Sequence, residues 1–243
     1  MRRSLRLLQA LLAVALVAFA GLLLYGYARR HPEDMPWTKL DLTQPVGTFT
    51  GRKLAGLGGD GGRCRSLLTE AGIRFVSLPP RRASEQCGYD DAVRFTGGGA
   101  LEIDYRPGGL GTSCPVAASL ALWEWHVVQP AALRHFGRRV AAIEHFGSYS
   151  CRRLYGRAEG AWSEHARANA VDVAGFRLED GTRIAVLAEW DGDRARADFL
   201  REVRDGACRL FATVLSPDYN EAHRDHFHLD QAARGEMGWR GCR

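Results

Sequence analysis

Two short stretches concentrate the residues that could do chemistry. Ser163-Glu-His-Ala-Arg-Ala-Asn-Ala-Val-Asp172 sets an imidazole, His165, seven residues before a carboxylate, Asp172. His223-Arg-Asp-His-Phe-His228 gathers three imidazoles and the carboxylate of Asp225 into six residues. Four of the eight histidines fall in these stretches, which separates them from histidines scattered over a surface. Neutral imidazole nitrogen with carboxylate oxygen suits one divalent ion of the zinc type, with a coordination position left for water. Taken singly, each residue reads as a surface histidine or a capping aspartate. Taken together, buried imidazoles and carboxylates need partners, and these can serve one another.

The elements that must position them follow from hydropathy. Asn169-Ala-Val-Asp-Val173 alternates, so Ala170 and Asp172 share one face of a strand while Val171 and Val173 face the other. Asp225-His-Phe-His-Leu-Asp230 alternates in the same way, placing His226 and His228 on one face and Phe227 and Leu229 on the other. His165, just upstream of the first strand, can fold back towards Asp172. The expected ligand set is therefore His165, Asp172 and His228. His226 reads as a group beside the metal, or a hydrogen-bond donor to substrate, instead of a fourth ligand.

Ser163-x-His165-x-x-Ala168-x-Ala170-x-Asp172 resembles the Ser-x-His-x-x-Gly-x-Ala-x-Asp motif of zinc D-Ala-D-Ala carboxypeptidases and dipeptidases, with Ala168 in place of Gly. Asp225-His-Phe-His228 is similar to the His-x-His motif of the penicillin-insensitive murein endopeptidases, which share a fold with the hedgehog signalling domain. Over residues 36–243 the chain resembles the bacterial extensin-like C-terminal domain family, through Cys114-Pro-Val-Ala, Ser148-Tyr-Ser-Cys-Arg152, Ser163-Glu-His-Ala and His223-Arg-Asp-His-Phe-His-Leu-Asp230. The resemblance implies a hedgehog/DD-peptidase-like fold and one zinc ion on His165, Asp172 and His228. It also implies that Arg152 holds a substrate carbonyl oxygen, the role of the arginine in the peptidases' Ser-Gly-Tyr-Arg phrase. Asp225 lies at the offset of the dipeptidases' catalytic Glu, so it is a candidate general base. His223 and His226 are the alternatives, because the Asp side chain is shorter.

The formal charge of +5 is concentrated at the start of the chain. Residues 1–30 hold five arginines and no acid, and the remainder carries 28 basic against 28 acidic residues. Nothing in this balance points to a nucleic-acid partner. Residues 7–27 form an apolar, uncharged run of membrane-spanning length. The expectation is an uncleaved inner-membrane anchor; Ala18-Phe-Ala20 offers a cleavage pattern for the alternative, a signal peptide. Six cysteines, all beyond this run and none in a Cys-x-x-Cys pair, read as three disulfides in an oxidising compartment, the periplasm. Sequential pairing is expected: Cys64 with Cys87, Cys114 with Cys151, Cys208 with Cys242.

Beyond the anchor, residues 31–62 read as a linker and lead-in, 63–112 as a small cysteine-bearing subdomain, and 113–243 as the metallopeptidase-like domain. Helix is expected over 64–72, over 116–136 with Pro130 inside it and Gly137 ending it, and over 194–211. Strands are expected over 73–78, 101–105, 139–145, 183–190 and 213–215, with 97–99 as a turn and a hairpin at Asp180-Gly181. His126 and His135 fall on the helical pattern and read as core or surface residues. The fold class is α+β: a small, mainly antiparallel sheet flanked by helices, with an N-terminal transmembrane helix. The expected function is zinc-dependent hydrolysis of amide bonds in peptidoglycan stem peptides or cross-links. The alternative is a non-catalytic, zinc-stabilised cell-wall binding domain, since fold alone does not give function.

Overall fold

A computed structural model describes residues 2–235 and 240–243. Its centre is a seven-stranded sheet. The path runs Gly241–Cys242, Thr213–Leu215, Phe227–Asp230, Ala170–Leu178, Val140–Gly147, Asp104–Arg106, and Arg183–Ala185 pairs beside Ala170–Leu178. The central ladders are antiparallel, but the pairs at both edges are parallel: Thr213–Leu215 with Gly241–Cys242, and Asp104–Arg106 with Val140–Gly147. The sheet is thus mixed, not merely antiparallel, because each edge strand arrives by a long crossover instead of a hairpin. A three-stranded sheet of Ile73–Ser77, Val93–Gly99 and Gly111–Thr112 lies apart from it, as does a two-stranded hairpin of Arg81–Arg82 and Gly88–Tyr89.

The core helix explains the most apolar stretch. Pro115 sits in its first turn, and all ten residues of Cys114–Trp123 are buried. The helix continues through a wider π turn, Glu124–Val128, into Gln129–Phe136. Pro130 lacks an N–H and would clash with the carbonyl four residues back in a regular α-helix; the wide turn stands just before it. Gly137 closes the helix with φ 64°, a conformation that costs glycine little. Against this helix pack the inward side chains of the sheet and the helix Arg194–Ala207 with the loop after it. Phe176 and Phe227 from strands, and Phe199 and Phe211 from that segment, are fully buried, and the Trp123 indole N–H donates to the Val203 carbonyl. Burying each such ring contributes about 1.5–3 kcal/mol.

Several expectations need correction. Residues 97–99 belong to the strand Val93–Gly99, and the next strand begins only at Asp104. Residues 183–190 are strand only over Arg183–Ala185; Val186–Glu189 is a helical turn. The reason is spacing: Val186 and Trp190 are buried while Leu187 and Ala188 are exposed, which is a helical period, not an alternating one. The hairpin itself stands, and a Cβ at Gly175 would come within 2.7 Å of the Ile184 carbonyl oxygen, so only glycine lets the two strands meet there. The helix expected over 194–211 ends at Ala207, although Leu210 and Phe211 remain buried beyond it.

The disulfides join Cys64 to Cys114, Cys87 to Cys151, and Cys208 to Cys242. Only the last agrees with sequential pairing. Cys64 and Cys114 lie at the contact of the helices Gly61–Glu70 and Cys114–Trp123, so partners in space are not neighbours in sequence. The core likewise runs across the expected segment boundaries: Leu40, Leu42, Leu54, Leu57, Leu68 and Val93 share one cluster with Trp123 and Phe227.

Candidate metal centre

The register of two strands creates the site. Phe227–Asp230 pairs antiparallel with Ala170–Leu178 so that His228 stands opposite Asp172, Phe227 opposite Val173, and Leu229 opposite Val171. Alternation sends Val171, Val173, Phe227 and Leu229 into the core, where all are fully buried, and leaves Asp172 and His228 side by side on the other face. His228 Nδ1 lies 3.0 Å from Asp172 Oδ1.

His165 comes from a 3₁₀ turn, Glu164–Arg167, capped by the Ser163 hydroxyl, which accepts from the His165 backbone N–H. Ala168 ends this turn in the left-handed region at φ 53° and is fully buried. Glycine would adopt this conformation freely; alanine adopts it at a cost of the order of 1 kcal/mol. Three donors hold the turn through the Ala168 carbonyl: the Ser113 N–H at 2.8 Å, and the Thr112 and Ser148 hydroxyls at 3.0 and 3.1 Å. His165 Nε2 consequently lies 3.1 Å from Asp172 Oδ1 and 3.2 Å from His228 Nδ1.

Three potential ligand atoms, two imidazole nitrogens and one carboxylate oxygen, therefore form a triangle with sides of 3.0–3.2 Å. Tetrahedral zinc at roughly 2.0–2.1 Å from each ligand separates ligand atoms by about 3.3 Å. Each imidazole is also held from behind. His165 Nδ1 donates to the Ser148 carbonyl at 2.6 Å, and His228 Nε2 donates to Asp230 Oδ2 at 3.1 Å. Those bonds place the lone pairs of His165 Nε2 and His228 Nδ1 towards the triangle, the arrangement that metal-bound histidines use. The donor set fits zinc.

The charges agree with that reading. Burial alone would raise the Asp172 carboxyl, but hydrogen bonds and charge from His165 and His228 outweigh it and hold it far below the usual carboxylate range. Burial pulls His228 down, yet hydrogen bonds to Asp172 and Asp230 bring it up to about 9. Without an ion the site thus keeps a proton on His228, and a metal would take that proton's place.

The remaining candidates stand around the triangle. His226 Nε2 is 3.6 Å from Asp172 Oδ1, and its Nδ1 donates to Asp225 Oδ1 at 2.7 Å. Asp225 therefore reaches the site through His226. The His223 ring is 5.3 Å from that of His226 and 6.1 Å from that of His228, and His223 Nδ1 donates to Asn220 Oδ1. Burial first, then the neighbouring His226 and His228, push His223 down to about 4, so it is neutral at pH 7. Arg152 is half exposed with its guanidinium 3.9 Å from Asp172 Oδ2. His126 is exposed, and His135 pairs with Glu202 at 2.8 Å; both lie apart from the site. Sequence reading missed Ser148 and Asp230. Asp230 was legible in principle, being two residues from His228 and so on the same strand face, whereas a backbone carbonyl such as that of Ser148 leaves no signature.

Fold and site together define an α+β domain built around a candidate two-histidine, one-aspartate metal centre. A family model described as Extensin-like protein C-terminus matches residues 62–243, and the chain belongs to that family. No curated protein and no solved structure matches the chain.

Proposed function

We propose that this protein is a zinc-dependent amide hydrolase of the cell envelope, acting on peptidoglycan stem peptides or cross-links. The supporting observation is the triangle of His165 Nε2, Asp172 Oδ1 and His228 Nδ1, with both imidazoles fixed from behind. Bound zinc would polarise a carbonyl and bring the pKa of a water towards roughly 7. The chain's own groups supply the rest. His226 is the base for the attacking water: with Nδ1–H given to Asp225, its Nε2 lone pair faces the Asp172 side of the site. Asp225 orients His226 and stabilises its protonated form. Arg152 offers positive charge where an oxyanion would develop. The N-terminal helix and three disulfides support a membrane-anchored protein whose domain lies in the periplasm.

The test pairs metal analysis of the purified protein with mass spectrometry of digested sacculi. One zinc per chain is expected, lost in His165→Ala, Asp172→Ala and His228→Ala but kept in His126→Ala and His135→Ala. His226→Ala should keep the metal and lower hydrolysis by about 10²–10⁴-fold. Full zinc occupancy in His228→Ala would sink the ligand assignment. Zinc at full occupancy with no muropeptide cut would replace the hydrolase with a zinc-stabilised wall-binding domain.

A further inference from the structure

Beside the metal centre stands a hairpin that the reaction outlined above does not use. Arg81 and Arg82 pair antiparallel with Tyr89 and Gly88. The hairpin is not free to wander: Cys87 is bonded to Cys151, and the Tyr89 ring meets the Tyr149 ring edge-on at 5.4 Å. The Arg81 guanidinium lies over the face of Tyr149, 4.6 Å from the ring centroid. Tyr149 sits between two residues that hold His165, since the Ser148 carbonyl accepts from its Nδ1 and the Ser150 N–H donates to its backbone carbonyl. At the other end of this loop is Arg152, at Asp172. The hairpin thus plants a second guanidinium on the loop that supports the metal ligand.

Two properties make Arg81 a binding group. Among the described residues neither Arg81 nor Arg82 pairs with a carboxylate, and both are exposed. The guanidinium carbon, 4.6 Å from the Tyr149 ring centroid, is held in place by a cation–π contact, and a guanidinium carries forked N–H donors. A guanidinium held in place matches a planar carboxylate, which accepts two parallel N–H bonds.

We infer that Arg81, held by the Cys87–Cys151 disulfide and the Tyr149 ring, forms a carboxylate-binding subsite that selects peptides bearing a free carboxyl group next to the bond presented to the metal centre. The inference rests on the hydrolase reading for the direction of the peptide, but its binding consequence does not require cleavage. Arg82 is the next residue on the same strand and supplies the same charge without the Tyr149 contact, which makes it the control.

The experiment uses the zinc-loaded full chain and muropeptides from digested sacculi, either with free carboxyl groups or after carbodiimide-driven amidation. Calorimetry measures binding and mass spectrometry measures cleavage. Wild type should prefer the free acid by about 10-fold or more, the worth of a charge-assisted hydrogen bond. Arg81→Gln should lose that preference with zinc content unchanged, Arg81→Lys should recover part of it, and Arg82→Gln should keep it. Preference for the acid without cleavage would leave the subsite standing and remove the hydrolase. Cleavage with no preference for the acid, or a preference that survives Arg81→Gln, would overturn the subsite and leave the hydrolase. Failure to bind either peptide would also overturn it.

Discussion

Asp230 does for His228 what the Ser148 carbonyl does for His165, and the two supports differ in how they can be tested. Asp230 is nearly fully buried and uses one oxygen for His228 Nε2 and the other for the Ala232 N–H. Asp230→Asn can present an N–H where His228 now finds an acceptor, which favours the wrong tautomer. Zinc affinity measured by competition with a chelator should fall about 10–100-fold while the protein stays folded; unchanged affinity would show that Asp230 does not set the tautomer. Ala168 supplies a second test. With φ 53° and no free space around it, Ala168→Val should cost about 1–3 kcal/mol and disturb His165, whereas Ala168→Gly should leave stability within about 1 kcal/mol. Thermal denaturation with zinc titration checks both, and equal behaviour of the two variants would contradict the strain. The residue types at 165, 172 and 228 were legible because metal chemistry restricts them. The left-handed turn at Ala168 was hidden, since alanine carries no signal for positive φ.

The strand pair Ala170–Leu178 and Phe227–Asp230 was legible because one face is strictly apolar and a slip of one residue would bury Asp172 and His228 in the core. Less of the surrounding frame could be read. The parallel edge strands and the disulfide partners depend on contacts between distant segments, which local periodicity does not encode. Their consequences differ from bridge to bridge. Cys64–Cys114 closes a separation of 50 residues between two core helices, and the neighbouring Thr112 and Ser113, not the bridge itself, hold the Ala168 turn. Loop-closure entropy gives such a bridge about 4 kcal/mol. The paired substitution Cys64→Ala, Cys114→Ala should therefore lower the denaturation midpoint strongly while native protein still binds one zinc. Removing Cys87–Cys151 should cost stability and also loosen the loop that carries Ser148 and Arg152, so zinc affinity should fall with it. If both pairs affected zinc alike, the separate roles assigned to the two bridges would be wrong.

At the scale of the molecule, an 18-residue window of the helix Arg2–Arg30 has a mean hydropathy of 2.6, and the helix has no buried residue, so it adds nothing to the buried core. It was the easiest element to read, because apolar length alone specifies it. The extent of the globular part was harder: Leu40 and Leu42 lie in the core although their segment, rich in proline and glycine, reads as a linker. The buried carboxyl of Glu124 was also unreadable, for nothing local distinguishes it from a surface acid on the same helical pattern. Its Oε1 accepts from the backbone N–H of Glu102 at 2.6 Å and of Ile103 at 3.3 Å, which ties the core helix to the lead of an edge strand. Burial pushes this carboxyl up to about 8, against a smaller opposing pull from the Ile103 N–H. The sign follows directly. Below about pH 4.5 folded and unfolded chains both keep the proton, and the contribution of the neutral acid is fully present. Between there and about pH 8 the unfolded chain releases a proton that the folded chain retains, so stability falls as pH rises, by up to about 1.4 kcal/mol per pH unit. Glu124→Gln keeps an oxygen acceptor for the two N–H groups and has nothing to ionise. Urea midpoints at pH 5, 6.5 and 8 should decline for the wild type relative to Glu124→Gln, with the two proteins closest at pH 5. A constant difference across those three pH values would mean that Glu124 is ionised in the folded protein and that its carboxylate is accommodated in the core.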